Sequence, residues 1–569
     1  MTSRVVSIGL DSFDPILFEQ WLDQGHLPNL RKLRDRGAWG RLDSTDSETA
    51  WTTFLTGVQP RKTGFLGHYS FDPGDYGCAM PGTYDFERYP PFYAIGDDYR
   101  VAAIDVPQVR MAERINGVQV SSYGAHASFT ARESRPPELL TRLIDRYGDH
   151  PAANGTDYAR FWRRSSMDGL VRRLNIGAKR RAAICRDLLQ SQDWDLFLVV
   201  FGEVHSVSHY LWHTAQAGHP LYEQFRDMFD TDRMLEVAIT VDDAVGDVLS
   251  VASPETRIVV FSQEGMIANS GDMPGALFLP EMLYRYSFPG CRGIDPVPGA
   301  MAGQNDALPP PILHPRSRSW HREAWAMKHD DNRLRRFLRR NLPIELGWLV
   351  ERVMGSPAGP GHPLEFDVKY QPAVLYSRYW PKMKAFALPS ASQQGKIRIN
   401  LEGREADGVV RAADYKAVCA EITAHLHELR NVRTGRSLVS EVVPQGDGDA
   451  ARASGGFADL LVNWCPEPTD IVDSPAFGRF GPVQYMRTGG HIEKGFAIVA
   501  GPGVPPGATL ADGHVLDLAP TILGLVGAPL SRHFDGRLLR LSSGAALGLS
   551  ERVAKLYAAF AYLPLVACV

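Results

Sequence analysis

Cysteine is scarce. The 569-residue chain has six, at Cys78, Cys185, Cys291, Cys419, Cys465 and Cys568, scattered and without a CxxC pair. That excludes a dense disulfide framework and suits buried free thiols in a reducing, cytoplasmic setting. Charge of one sign is also missing: 61 Lys and Arg against 65 Asp and Glu leave a formal charge of −4. No overall field therefore argues for nucleic acid or an anionic membrane as partner, and any anion specificity has to be local. No apolar run approaches the roughly 20 residues that span a bilayer. The opening MTSRVVSIGLDS is too short for a signal-peptide core, and the mostly apolar Ala559–Val569 reads as a docked tail, with Cys568 misplaced for prenylation. Internal repeats and long low-complexity tracts are likewise absent.

What is present is an ordinary globular composition, 44% hydrophobic and 22% charged, in a chain long enough for a large core with an insertion. Short β-rich apolar runs recur at Val5–Leu10, Val101–Ile104, Leu196–Phe201, Arg257–Phe261 and Phe496–Ala500, each reading as a buried strand. Helical periodicity over Phe18–Arg36 and Ile176–Gln190 separates the early runs. The alternation predicts an α/β fold with a doubly covered, mostly parallel sheet, whose sites form at the carboxyl ends of strands. Between Gly271 and Gly455 the texture changes: Gly293–Pro315 and Ser356–His362 are rich in Pro and Gly, and Arg333–Arg340 is a basic amphipathic stretch. The expected organisation is a core over 1–270 and 456–541, an inserted cap over 271–455 and a tail over 542–569.

Polar residues that directly follow three of the runs, Asp11, His205 and Gln263–Glu264, are expected to meet at one sheet edge. His205 and His209 stand at i and i+4, on one helix face, where two imidazoles can clasp one ion, and His213 extends that face.

Five motifs carry a resemblance: SIGLDSFDP with LPNLRKLRDRGAWGRL; Ser47-Glu-Thr-Ala-Trp-Thr-Thr-Phe-Leu-Thr-Gly57; WDLFLVVFGEVHSVSHYLWH; RIVVFSQEGM; and Arg487-Thr-Gly-Gly-His491 ahead of GFAIVAGPGV. In this order they resemble the alkaline phosphatase superfamily, in particular its type I phosphodiesterase/nucleotide pyrophosphatase branch and related phosphohydrolases. DLAPTILGLVGAP and FDGRLL, around Asp517 and Asp535, match as structure rather than chemistry. The resemblance implies Ser47 as nucleophile, Thr45 and Thr49 being the nearby hydroxyls, and a metal centre drawn from Asp11, Ser47, His205, His209, Glu264 and His491, with Gln263 as a further ligand. If Ser47 opens a helix, backbone amides would add to phosphate binding.

Three residues at two motifs set this chain apart from the pattern. His205 stands where the branch shows an aspartate, and Gln263–Glu264 where it shows Asp-His. Glutamate ligates a hard cation, whereas a neutral glutamine offers only a weak carbonyl oxygen. The expected split is His205, His209 and His491 around one ion and Asp11, Glu264 and Ser47 around another. One or two divalent ions are anticipated, zinc first and manganese or iron in its place.

The expected partner is a small phosphate ester, held by Lys382, Lys384, Arg398, Asn400 and Arg404 from YWPKMKAFALPS and GKIRINLEGRE. The resulting expectation is a metal-dependent phosphoric ester hydrolase, a phosphodiesterase. The alternatives are a monoesterase or phosphomutase of the same superfamily, or a non-catalytic binding descendant. A sulfatase is disfavoured, because Ser47-Glu-Thr-Ala-Trp lacks the Pro and Arg that formylglycine formation requires.

Overall fold

The computed structural model describes residues 4–80, 82–124, 130–152, 163–294, 308–313, 332–342, 347–354, 371–445, 458–544 and 547. The segment Ser356–His362, parts of Gly293–Pro315 and the tail from 548 onward lie outside the described residues.

Ten strands form the main sheet. At its centre Val5–Leu10 pairs in parallel with Leu196–Phe201 on one side and Arg257–Ser262 on the other. Leu196–Phe201 continues in parallel to Arg100–Ile104, which pairs in parallel with Asn116–Ser121. Beyond Arg257–Ser262, Lys494–Ala500 joins antiparallel and carries Gly37–Asp43, also antiparallel. Both faces of the sheet are covered. Val6, Ile8, Phe197, Val199, Ile258 and Val260 pack into one apolar cluster with the helices Arg164–Ser191 and Arg233–Leu249. The alternate residues Val5, Leu198, Val200, Val259 and Phe261 pack into another with Phe54 and Ile522. Burial on both faces is why these strands read as continuous apolar runs. The mixed, mostly parallel α/β fold is as expected.

Details differ. Phe18–Arg36 is two helices, Pro15–Asp23 and Pro28–Asp35, parted at Gly25, whose φ of +82° suits glycine, and at Pro28, which begins the second helix. The helix over Ile176–Gln190 extends to Arg164–Ser191.

A second, antiparallel sheet is built from Ala385–Leu388, Gln394–Ile399, Leu460–Trp464 and Val439–Pro444. Leu460–Trp464, grouped with the core on sequence, instead pairs with Gln394–Ile399 and Val439–Pro444. Its alternating burial marks an antiparallel strand with one buried face, and a strand's partner is not encoded in its own residues. Arg333–Asn341 is a helix. Among the described residues, no helix is long and apolar enough to cross a membrane.

Candidate active site

The strand ends bring the chemistry together. Asp11 follows Val5–Leu10 directly, Gln263 and Glu264 follow Arg257–Ser262, and His205 lies in the first turn of the helix Glu203–Ala215 that leaves Leu196–Phe201. His209 is one turn further along that helix. His491 arrives on Gly489–Ile492, which pairs antiparallel with Gly265–Ala268, Met266 opposite His491. The ligand-type atoms of His205, His209 and His491 all lie within 4.8 Å of one another, and all three residues are buried. The rings meet at centroid distances of 4.6, 4.8 and 4.9 Å.

Hydrogen bonds set the direction of two rings. His209 Nδ1 is 2.8 Å from the Gly489 carbonyl, which can only accept, so Nδ1 carries the proton and Nε2 presents its lone pair inward. His205 Nδ1 lies 2.9 Å from Asp11 Oδ2, the carboxylate–histidine arrangement that orients metal-ligating imidazoles. The two Nε2 atoms face each other at 2.7 Å. Ligands around one zinc-sized ion stand about 3–4 Å apart, so a modest spreading of this pair accommodates a cation. Burial, then the charge of Arg487 and the neighbouring rings, holds His209 far below the usual histidine range, so it stays neutral, as a ligand must.

Carboxyls surround the imidazoles. Burial pushes Glu264 well above the ordinary range, and the charge of Asp11 adds to this against the Ser12 hydrogen bond. A bound cation would relieve this, because it favours the ionised carboxylate. Asp11 Oδ1 takes hydrogen bonds from Gln263 Nε2 at 2.8 Å and Trp51 Nε1 at 3.2 Å. The Gln263 carbonyl oxygen is buried and without a partner. The donor set thus fits one ion at the three histidines, with a buried, unsatisfied oxygen on the adjoining Gln263.

Sequence reasoning missed Ser12. This buried residue adopts φ +50°, an unusual conformation for serine that costs about 1–3 kcal/mol. There its hydroxyl donates to Glu264 Oε1 at 2.8 Å and lies 3.3 Å from His205 Nδ1 and 3.5 Å from His491 Nδ1. Its one sequence signal was position, next to a strand-end aspartate.

Ser47 is half-buried in a turn rather than at a helix start. The Asp46 carboxylate accepts from Glu48 N–H at 2.9 Å and the Asp46 carbonyl from Thr49 N–H at 2.8 Å, which holds the turn and delays the helix to Ala50–Thr56. Trp51, on that helix, reaches Asp11.

Of the five cap residues expected to hold substrate, three are bonded within the protein and two are exposed. Arg398 donates to Glu405 at 2.7 Å, Arg404 to Glu405 and Asp459, and Asn400 to the Trp380 and Met383 carbonyls while accepting from Tyr76. Arg398 and Asn400 are buried and Arg404 is half-buried, and all three are bonded within the protein. Buried polar groups need such partners, a demand their motif does not reveal. Lys382 and Lys384 are exposed, Lys384 lying 5.2 Å over the Tyr286 ring.

The sequence model of the type I phosphodiesterase / nucleotide pyrophosphatase family matches residues 5–302. The chain belongs to this family. The matched residues include Asp11, Ser47, His205, His209, Gln263 and Glu264, while His491 lies beyond them. Among solved structures, phosphonoacetate hydrolase from Sinorhizobium meliloti 1021 is similar at 13% identity, covering 93% of this chain and 96% of that one, with a TM-score of 0.46. Murine ectonucleotide pyrophosphatase / phosphodiesterase 5 is similar at 11% identity over 94% and 100%, with a TM-score of 0.42. Alkaline phosphatase PafA is similar at 10% identity over 94% and 98%, with a TM-score of 0.46. No curated protein matches this member of the phosphodiesterase family.

Proposed function

We propose that this chain is a metal-dependent hydrolase of phosphate esters, a phosphodiesterase with Ser47 as nucleophile. The observation that carries the reading is the meeting of three buried imidazoles at the strand ends, in a chain of the type I phosphodiesterase / nucleotide pyrophosphatase family. His205, His209 and His491 would hold a divalent cation, with zinc the first choice for three nitrogen donors. Bound there, such an ion supplies Lewis-acid polarisation of a phosphoryl oxygen. Asp11 and the Gly489 carbonyl orient two of the imidazoles. Ser47 is half-buried and its hydroxyl has no hydrogen-bond partner among the described residues, which leaves it available to attack phosphorus. The Asp46 bonds fix the turn that presents it. Attack forms a phosphoseryl ester as the alcohol leaves, and water then hydrolyses that ester, regenerating Ser47.

The test is metal analysis of the purified protein together with turnover of bis(p-nitrophenyl) phosphate and p-nitrophenyl phosphate, with Ser47→Ala as control. Bound metal with diester turnover that disappears in Ser47→Ala is the expected result. Preference for the monoester would move the reading to a phosphomonoesterase, and metal-free, inactive protein would overturn it in favour of a binding protein.

A further inference from the structure

Glu48, next to Ser47, is buried between two regions of the chain. Its side chain is 1% exposed and meets the ammonium of Lys396, itself 5% exposed, on the second-sheet strand Gln394–Ile399. Ser390 Oγ donates to Glu48 Oε2 at 3.0 Å, and the His68 N–H to Oε1 at 3.2 Å. The approach is close enough that a Cβ on Gly67 would lie 2.9 Å from Glu48 Oε2. On the other side of Ser47, Asp46 accepts from the Glu48 N–H, and its carboxyl feels both the Lys396 charge and a Ser392 hydrogen bond. The turn carrying Ser47 is thus bracketed by two carboxyls that share one buried ammonium. Ser390, Ser392 and Lys396 all come from the region between Gly271 and Gly455 and reach this turn, whereas Arg398, Asn400 and Arg404 are bonded elsewhere.

We infer that Lys396 is a positioning residue for the nucleophile: through Glu48 it ties the Ser47 turn to the second sheet and neutralises a carboxylate one residue from the hydroxyl that an anionic phosphate must approach. This rests on the reading of Ser47 as nucleophile. Two physical effects act together. A buried ion pair that loses one partner strands the other as an uncompensated charge, here one residue from the attacking hydroxyl. A turn freed from its anchor also misplaces that hydroxyl, and a displacement of about 1 Å costs on the order of a hundredfold in rate.

The experiment compares full-length Lys396→Met, Lys396→Arg, Glu48→Gln and the double variant Glu48→Gln/Lys396→Met, by metal content and by kcat and KM for bis(p-nitrophenyl) phosphate, with Ser47→Ala alongside. Lys396→Met should lower kcat on the order of a hundredfold, with metal content unchanged and KM moved far less. Lys396→Arg should recover most of the loss. The double variant should lose less than Lys396→Met alone, because no carboxylate is left stranded. If Lys396→Met fails to fold, Ser390→Ala takes its place and should lower kcat several-fold by removing one bond to Glu48 Oε2.

Inactive Ser47→Ala beside wild-type kcat in Lys396→Met, or in Ser390→Ala where that serves, overturns the inference and leaves the nucleophile reading standing. Active Ser47→Ala overturns both. A loss in Lys396→Met equalled by Lys396→Arg and additive in the double variant also overturns it, since that is the signature of a generally damaged fold.

Discussion

Gln263 donates its side-chain N–H to Asp11 Oδ1 at 2.8 Å, while its own carbonyl oxygen is buried without a partner. An amide here bonds a carboxylate that a second acid would repel, and keeps one buried oxygen in reserve as a donor for a cation. Glu264, already pushed well above the ordinary carboxyl range by burial and by Asp11, is the adjoining acid that feels any change.

Gln263→Asp is therefore expected to destabilise the metal-free protein at neutral pH by about 1–3 kcal/mol, because two carboxylates would crowd without a donor between them. Added divalent metal should recover more stability in this variant than in the wild type. Thermal melts with chelator and with zinc check both halves, and equal metal shifts in the two proteins would count against a cation site beside Gln263.

Trp51 packs against Phe54 and Phe261 and donates Nε1–H to Asp11 Oδ1 at 3.2 Å. Trp51→Phe keeps much of the ring packing and deletes the donor. Because groups that orient ligands from outside typically change metal affinity or activity by roughly 10–100-fold, the variant should fold yet bind metal at least about tenfold more weakly. Competition with a chromophoric chelator measures this.

His213 and His219 are pushed down to about 3, by burial in both cases, with His219 adding to the effect on His213. In the unfolded chain each titrates near the ordinary 6.5. Between those values the unfolded state binds more protons than the folded one. Stability is therefore fully present above pH 6.5 and is lost as pH falls through the window, with a slope of roughly 1.4 kcal/mol per pH unit per histidine. Urea midpoints at pH 7 and pH 5 should differ in the wild type, and the difference should shrink in His219→Gln.

Arg181 is fully buried, donating to Asp105 at 2.6 Å and pairing with Glu203, the first residue of the helix that carries His205 and His209. Arg181→Met strands two buried carboxylates and should cost about 3–5 kcal/mol by urea denaturation. Adding Asp105→Asn and Glu203→Gln should restore part of that loss, because the stranded charges go with the partner.

The main sheet was legible because strands buried on both faces must be apolar throughout, so Val5–Leu10, Leu196–Phe201 and Arg257–Phe261 announce themselves one segment at a time. Their polar successors, Asp11, His205 and Gln263–Glu264, were legible for the same local reason: chemistry in a parallel sheet collects where strands end. The spacing of His205 and His209 on one helix face follows from helix periodicity alone. Other features depended on distant partners. Leu460–Trp464 reads as a strand, but only packing assigns it to Gln394–Ile399. GKIRINLEGRE shows its charges and not their destinations: Arg398 and Arg404 turn to Glu405 and Asp459, while Lys396 turns to Glu48. Ser12 looks unremarkable in sequence until a positive φ aims its hydroxyl among Glu264, His205 and His491. The sequence by itself determined the strands, the helix face and the order of the polar strand ends, because these rest on periodicity and burial within a segment. Only the tertiary structure decided which charges pair and which hydroxyl enters the site, because desolvation makes each buried polar group take whatever partner the fold brings within reach.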